Sequence, residues 1–384
     1  MTVVVIGGGI VGMSSAYRLS ERGADVILLE KDAIGAGSSD RAAGGIRAQF
    51  TTPVSIALSK RSIEVWETFD EEFGVDIGYN RPGYLYLARE QSTADRIAEN
   101  VTIHNDHDVP SRFVEPDDIA DLCPAIRREH YVGGTYCPTD GYADPHLALQ
   151  GFYEAATDAG VDIRVDTAVT DLVQDGSGRV RGVVTDADTL DAEAVVNAAG
   201  AWSPQIAAMA DVDLPVVPKR RQAIIVEPDT PVPETVPFTT DIDSGSYFRP
   251  DGGGEALVGG HFSETDPEMD PDQYDRGYQQ AWAADAIEHA ADVAGYFGPA
   301  TTIKDGWAGL YAMTPDHHPI IEESVPGLIT ATGFSGHGFM QSPATGLVVA
   351  ELILDGTPTT VDIAPLDRHR FDRGDALHET FYSA

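Results

Sequence analysis

Short apolar runs flank an amphipathic stretch within the first thirty residues of the chain. Residues 2–6 are rich in β-branched side chains, a run too short for a helix and typical of a strand buried on both faces. Residues 10–21 carry apolar side chains at helical spacing, and Gly23 marks the end of that helix. A second apolar run covers residues 25–29. The pattern predicts a β-α-β unit whose two strands lie parallel.

Three glycines occupy the turn between the first strand and the helix. Gly7, Gly9 and Gly12 complete the motif G-x-G-x-x-G, and Glu30 follows the second strand. In such a turn the first glycine permits the tight bend, the second admits a pyrophosphate, and the third allows close helix–strand packing. Glu30 is placed to accept hydrogen bonds from ribose hydroxyls and disfavours the 2′-phosphate of NADP. These residues predict a site for FAD or NAD.

Later segments predict further cofactor contacts and a second sheet. Residues 35–47 form a loop of glycine and small polar residues that suits backbone contact with a large planar cofactor. Apolar strands are predicted at 194–197 and 328–331, and a helix at 343–354 with proline near its start. The acidic segment 266–275 is expected to face solvent. Four more runs predict strands of a substrate-binding sheet, namely residues 84–87, 219–226, 247–250 and 256–260.

The charge of the chain restricts its partners and its environment. The 384 residues are 42% hydrophobic, which indicates a folded protein, and 25 basic against 62 acidic side chains give a net charge of −37. Such a surface repels nucleic acid and anionic membranes. Acidic residues with only four lysines favour a salt-accumulating (halophilic) cell over an ordinary acidic cytosolic enzyme. Two cysteines and the lack of an apolar run near 20 residues lead us to expect a cytoplasmic protein without a transmembrane segment.

Four separated segments carry a resemblance to a known family. They are the β-α-β start, the loop at 35–47, residues 195–203, and the pair formed by 314–316 and 333–339. In this order they resemble the D-amino-acid oxidase family of flavoproteins, in the branch with sarcosine oxidase, dimethylglycine dehydrogenase, glycine oxidase and the β-subunit of proline dehydrogenase. The resemblance covers nearly the whole chain, and it implies FAD rather than NAD.

The resemblance also implies an α/β fold of two interleaved domains. We expect a Rossmann-like FAD-binding domain of the GR2 flavoprotein type at residues 1–80, 145–213 and 324–384. An α+β substrate domain on a mostly antiparallel sheet is expected at residues 81–144 and 214–323. The motifs and the resemblance together assign these residues to the cofactor: Gly7, Gly9, Ile10, Val11, Gly12, Glu30, Lys31, Ser38, Ser39, Ala43, Gly44, Gly45, Val169, Ala198, Ala199, Gly200, Trp202, Gly333, Ser335, Gly336, His337, Gly338, Phe339 and Met340.

Three residues are candidates for catalysis or substrate binding. Arg47 is the best carboxylate clamp, since guanidinium grips a carboxylate bidentately and the position matches a substrate-binding arginine of the sarcosine oxidases. Pairing of Arg47 with a protein acid is the alternative. Arg249 is a second candidate, and His337 either donates to the cofactor or fixes its own loop. No spacing of ligand residues matches a metal site.

The chain departs from the sarcosine oxidase pattern at three positions. Gly309 stands where those enzymes attach the flavin to cysteine, so FAD should be bound non-covalently. Met340 replaces the lysine that closes their carboxylate clamp. Val258 lies near the place of the lysine credited with assisting oxygen. These changes leave the substrate open and favour a dehydrogenase over an oxidase.

The sequence therefore predicts an FAD-dependent oxidoreductase that oxidises the C–N bond of a small amine or amino acid. Hydride passes to flavin N5, and the imine then hydrolyses in water. The electron acceptor stays open between a quinone, an electron-transfer protein and oxygen. A flavin-dependent 2-hydroxyacid dehydrogenase is the alternative enzyme. A flavin-bound assembly protein without turnover is the alternative of another class.

Overall fold

Two β-sheets organise the chain, and the computed structural model describes residues 1–262 and 267–379. The helices of this described part are α1 (Ile10–Glu21), α2 (Pro53–Glu67), α3 (Phe69–Phe73), α4 (Gln91–Asp106), α5 (Pro116–Leu122), α6 (Pro145–Asp158), α7 (Ser203–Ala208), α8 (Gln280–Val293), α9 (Gly338–Leu354) and α10 (Arg370–Arg373). None of these described helices is both long and apolar enough to cross a membrane.

The strands follow the same chain order. They are β1 (Thr2–Ile6), β2 (Asp25–Leu29), β3 (Gly45–Ile46), β4 (Tyr84–Ala88), β5 (Arg112–Val114), β6 (Gly133–Cys137), β7 (Gly141–Tyr142), β8 (Asp162–Arg164), β9 (Val169–Gln174), β10 (Val180–Thr185), β11 (Thr189–Asp191), β12 (Ala194–Asn197), β13 (Val217–Glu227), β14 (Phe238–Asp241), β15 (Ser246–Pro250), β16 (Ala256–Gly260), β17 (Thr302–Met313), β18 (Ile320–Val325) and β19 (Leu328–Thr332).

The first sheet has six strands in the order β18-β19-β12-β1-β2-β8. Strand β1 pairs in parallel with β2 and β12, which confirms the predicted β-α-β unit. Apolar side chains of α1, α6 and α9 join one face of this sheet in the largest buried cluster. A three-stranded sheet, β11-β10-β9, and α7 cover the other face. Both faces are therefore covered, as parallel strands require.

The second sheet has eight strands in the order β17-β13-β16-β15-β14-β4-β6-β5. Its recorded pairings are antiparallel except for β14 with β4. Helix α8 packs its alanine face into the cluster beneath this sheet. The α/β class with a mostly antiparallel second sheet is thus confirmed. The domain limits stay a prediction, and β18 spans the expected limit at residue 323.

Helix α9 begins five residues earlier than the prediction at 343–354. The prediction treated Pro343 as a start signal, whereas proline lies inside the helix. Proline lacks the N–H that would bond to the carbonyl of Phe339. The hydroxyl of Ser342 donates to that carbonyl at 2.9 Å instead. The helix begins at Gly338, directly after His337, and continues through Pro343.

Candidate functional site

A cavity of about 1620 Å³ lies between the two sheets. Its wall on one side contains the carboxyl ends of β1, β2, β12 and β19, where open α/β sheets bind their ligands. On the other side it is lined by residues of β4, β13, β14 and β15. The cavity therefore has one end at the glycine turn and another against the face of the eight-stranded sheet that carries Tyr84, Tyr86 and Tyr247.

The glycine turn is built so that no side chain larger than hydrogen fits at two positions. Gly7 has a φ of +110°, and an added Cβ would lie 2.5 Å from the carbonyl oxygen of Ala198. A Cβ on Gly12 would lie 2.0 Å from the carbonyl oxygen of Gly7. Both obstacles are backbone atoms, which side-chain motion cannot clear. The turn therefore presents bare backbone and the N-terminus of α1 to the cavity, as pyrophosphate binding requires.

Glu30 closes this end of the cavity. Its carboxylate accepts hydrogen bonds from the N–H of Gly8 at 2.7 Å and from that of Asp32 at 2.9 Å. A carboxylate has about four acceptor positions, so capacity remains for ribose hydroxyls on the cavity side. Ser39 accepts from the N–H of Ile10 at 2.9 Å and ties the loop after Glu30 to the start of α1. These features fit the dinucleotide half of FAD.

A short surface segment bridges the dinucleotide end. Asp272 lies between β16 and α8 and accepts hydrogen bonds from Lys31 at 2.6 Å and from the indole N–H of Trp202 at 2.7 Å. Lys31 also lies 4.1 Å from the centre of the Trp202 ring. We name this set, Lys31, Trp202 and Asp272, the latch. The acidic segment 266–275 was expected to face solvent. Asp266 lies outside the described residues. Asp272 is half-exposed, although it binds both Lys31 and Trp202.

Arg47 lies at the other end of the cavity, directly after β3, and is buried. One guanidinium nitrogen donates to the carbonyl of Gln49, and the other lies 3.2 Å from Nε2 of His337. The guanidinium carbon lies 3.9 Å from the centre of the Phe50 ring. A buried, oriented cation on a cavity wall is suited to binding a carboxylate.

His337 occupies the N-cap position of α9, beside Arg47. Because guanidinium only donates, Nε2 of His337 accepts and Nδ1 carries the proton. Burial lowers the pKa of His337 well below its usual value, and the charge of Arg47 acts in the same direction. The imidazole is therefore neutral at physiological pH. Neither role predicted for His337 included this contact with Arg47.

Aromatic rings form the wall next to Arg47. The rings of Tyr84 and Phe238 stack with centres 4.3 Å apart, and Tyr86 and Tyr247 extend the row at 5.4 Å and 5.6 Å. All four line the cavity. The hydroxyl of Tyr84 lies 3.0 Å from the position of a Cβ on Gly45, so the row stands directly over the loop at 35–47.

Most residues predicted for the cofactor line this one cavity. The exception is Gly12, whose place is the contact between α1 and the turn. Arg249 is also absent from the described cavity wall, and its prediction as a clamp is not supported by its position. Its guanidinium donates to the carbonyl of Ala43 at 2.8 Å and to Asp251 at 2.7 Å. Internal acceptors thus occupy Arg249, which supports Ala43 from behind.

Several site residues were missed by sequence reasoning. The aromatic row and Asp272 come together only through pairing of distant segments, and no local pattern marks them. Asp140, buried behind Arg47, precedes a two-residue strand and carries no motif. Among residues 1–262 and 267–379, no cluster of three or more histidine, cysteine, aspartate or glutamate side chains is arranged for a metal ion.

Comparison with known proteins defines the class. Residues 2–352 match the family model described as DAO, FAD dependent oxidoreductase. Glycine oxidase of Geobacillus kaustophilus is 30% identical over 379 residues, covering 96% of this chain and 97% of that protein. FAD-dependent oxidoreductase domain-containing protein 1 of Xenopus laevis is also 30% identical, covering 96% of this chain and 82% of that protein.

Solved structures agree with this assignment. L-proline dehydrogenase from P. horikoshii superposes with a TM-score of 0.88 at 32% identity, covering 97% of this chain and 98% of the other. Glycine oxidase from Geobacillus kaustophilus has a TM-score of 0.85 at 26% identity, covering 96% and 98%.

The chain belongs to the DAO family of FAD-dependent oxidoreductases. The predicted cofactor, enzyme class and family are thereby confirmed.

Proposed function

We propose that the chain binds FAD non-covalently and dehydrogenates the C–N bond of a small amino acid whose carboxylate is held by Arg47. The observation that carries the proposal is the buried guanidinium of Arg47 on the cavity wall, 3.2 Å from a neutral imidazole and next to the start of α9. The names of relatives point in the same direction, since they include a glycine oxidase and an L-proline dehydrogenase.

The surroundings of Arg47 favour an anionic ligand. Its contacts include the carbonyl of Gln49, the neutral ring of His337 and the face of Phe50, and its charge also acts on the buried carboxyls of Asp140 and Glu379. A substrate carboxylate in the cavity is a further partner in a site shielded from water, where charge-assisted hydrogen bonds are strong. The N-terminus of α9 contributes partial positive charge to the same region.

The aromatic row supports orientation of the substrate. Bound FAD supplies the hydride acceptor at N5 of its ring system. With the carboxylate on Arg47, the rest of the substrate lies against the rings of Tyr84, Tyr86 and Phe238. Two fixed contacts, one ionic and one apolar, restrict how the C–H bond beside nitrogen can point, which is the main contribution a protein makes to such a reaction.

Gly309 supports non-covalent FAD, and Val258 supports an acceptor other than oxygen. Gly309 lines the cavity and has no nucleophilic side chain, while Cys123 and Cys137 are buried and free. Val258 is buried in the apolar cluster of the second sheet and cannot supply the positive charge of the lysine credited with assisting oxygen. Met340 lines the cavity in place of the clamp lysine and leaves the substrate open. Denaturation should therefore release all the FAD, and the reduced enzyme should reoxidise slowly in air.

We also propose that the protein works in the cytoplasm of a salt-rich cell. A cytoplasmic location is supported by the two free cysteines. A salt-rich cell is supported by the net charge of −37 with few lysines, because salt screens the mutual repulsion of surface carboxylates. Unfolding temperature should rise between dilute buffer and molar salt.

Anaerobic reduction of the flavin tests the proposal. The purified holoenzyme is mixed with glycine, sarcosine, dimethylglycine, proline and D-alanine, and with the hydroxyacids glycolate and lactate, while flavin absorbance is followed. At least one amino acid should bleach the flavin. Bleaching by hydroxyacids alone would overturn the proposal in favour of alcohol oxidation. If no compound of the panel bleaches the flavin, the proposed reaction class is contradicted.

A further inference from the structure

A buried carboxylate lies directly behind the loop that carries Arg47. Asp140 is wholly buried, immediately before strand β7, which pairs antiparallel with β3. Its two oxygens accept hydrogen bonds from the backbone N–H of Ala48 at 3.0 Å and from the side-chain amide of Gln49 at 3.1 Å. Both donors belong to the two residues that follow Arg47.

These bonds continue to the guanidinium. The carbonyl of Gln49 accepts a hydrogen bond from Arg47, so the residue held by Asp140 also holds Arg47. The amide nitrogen of Gln49 donates in addition to the carbonyl of Tyr84 at 3.3 Å. Asp140 therefore fixes the backbone after β3 relative to the strand that carries the aromatic row.

The cost of burying Asp140 argues for a role beyond packing. A buried carboxylate is unfavourable unless its oxygens are well satisfied, and an uncharged side chain fills such a place at lower cost. We propose that Asp140 is a positioning residue, which sets the guanidinium of Arg47 in the orientation that receives the substrate carboxylate. The inference rests on the proposed function of Arg47 and adds to it the group that orients the clamp.

The charge state of Asp140 adds a measurable property. Burial raises the pKa of Asp140 to about 6, against the opposing effects of the Ala48 N–H, the Gln49 amide and the charge of Arg47. The titratable groups around Asp140 include Cys137, Tyr79 and Tyr136, whose pKa values burial raises further above neutrality, so they keep their protons between pH 5 and 8. The charge of Arg47 also acts on the buried carboxyl of Glu379, whose pKa burial raises. Glu379→Gln is therefore measured beside Asp140→Asn, and it should keep the pH dependence that Asp140→Asn loses.

The pKa of Asp140 sets the direction in which carboxylate binding changes with pH. Above about pH 6 Asp140 is ionised, and both oxygens accept from the loop. Below it, one oxygen carries a proton and accepts more weakly, so the bond from either Ala48 or Gln49 to Asp140 is weakened. Carboxylate binding should therefore weaken as pH falls through about 6.

The test measures binding of propionate, a carboxylate without an amine, by its effect on the flavin absorbance of the holoenzyme at constant ionic strength. Propionate itself stays ionised above pH 6 and is corrected for its own ionisation below that. The wild type should bind about tenfold more tightly at pH 8 than at pH 5. Asp140→Asn should bind about tenfold more weakly than wild type at pH 8, with the change between pH 5 and 8 lost.

Two controls separate positioning from general damage. Glu322→Gln removes another buried carboxylate. Glu322 lies on β18, outside the described cavity wall, and accepts a hydrogen bond from Arg368. This variant should leave the propionate Kd unchanged. Asp140→Glu keeps the charge and should restore part of the pH dependence. If Asp140→Asn fails to retain FAD, the pH dependence of wild-type binding still tests the inference.

The outcomes distinguish this inference from the proposed function. A wild-type Kd that is flat between pH 5 and 8, or an Asp140→Asn enzyme that binds propionate normally, overturns the role of Asp140. If Arg47→Met also binds propionate like wild type, the proposed role of Arg47 itself is wrong. Weak binding by Arg47→Met with normal binding by Asp140→Asn would confine the error to the positioning role.

Discussion

The two ends of the cavity are built by different means. The glycine turn presents backbone N–H groups and a helix N-terminus to the cavity within one continuous segment, which Glu30 closes. At the other end, side chains of Arg47, His337 and the aromatic row meet from distant segments. The first end depends on the absence of side chains. The second depends on a few buried side chains whose orientation is set by others.

This difference predicts how each end fails. Backbone recognition should be lost when a side chain intrudes, whatever its chemistry. Side-chain recognition should be lost when a charge is removed or its support is weakened, with the cofactor still in place. The following variants separate the two, from the largest expected effect to the smallest.

Gly12→Ala should cause the largest change. Its Cβ would lie 2.0 Å from the backbone oxygen of Gly7, so α1 and the turn must separate. We expect a loss of stability of at least about 3 kcal/mol and a decrease of FAD affinity of a hundredfold or more. Flavin content after gel filtration and the thermal unfolding midpoint measure both. Gly176→Ala, which has open space around it, is the matched control and should bind FAD normally.

Arg47→Met should affect the substrate end alone. Removing one partner of a buried charged pair costs about 3 kcal/mol, which corresponds to on the order of a hundredfold in kcat/KM for the amino-acid substrate. FAD content should stay at wild-type level. Arg249→Met is the comparison, because its bonds to Ala43 and Asp251 are internal. This variant should lower the unfolding temperature and leave substrate affinity unchanged. A loss of substrate affinity with an unchanged unfolding temperature would instead make Arg249 the clamp.

Asp272→Asn should act on the cofactor end without touching the glycine turn. The latch joins a surface segment to Lys31 and Trp202, and a half-exposed ion pair contributes at most about 1 kcal/mol. FAD should dissociate up to about fivefold faster, as followed by the recovery of flavin fluorescence on release. Asp285→Asn removes an exposed acid of α8 and serves as the charge control. Equal dissociation rates for the two variants would show that the latch does not retain FAD.

His337→Gln should have the smallest effect. Glutamine still offers an acceptor to Arg47, so carboxylate affinity should fall by only about twofold. Because burial holds the pKa of His337 well below its usual value, the imidazole stays neutral over the physiological range. The variant should therefore keep the change in propionate binding near pH 6. Loss of that change would assign it to His337 instead of Asp140.

The same contrast explains how much of the site the sequence could predict. Residues 2–30 encode a strand, turn, helix and acid in one local pattern, and each was predicted and then found. Arg47 was predicted through a resemblance, since nothing local distinguishes it from other arginines. The prediction for Arg249 could not take account of its internal acceptors, the Ala43 carbonyl and Asp251, which become visible only in the folded chain.

The substrate end depends on long-range pairing that local patterns do not specify. Tyr84 meets Phe238 because β4 pairs in parallel with β14, a register that neither strand predicts alone. Asp140 reaches Ala48 through the two-residue pairing of β7 with β3. At the start of α9 the hydroxyl of Ser342 donates to the Phe339 carbonyl, a contact that the presence of proline alone does not predict.

The most direct test of the account compares an amino acid with the amine left after its carboxylate is removed. The best substrate of the anaerobic panel and that amine are each mixed with wild type and with Arg47→Met, and the rate constants of flavin reduction are measured. We predict that the wild type reduces at least a hundredfold faster with the amino acid, and that Arg47→Met removes most of this preference. A preference of equal size in both proteins would contradict the central claim that Arg47 holds the substrate carboxylate.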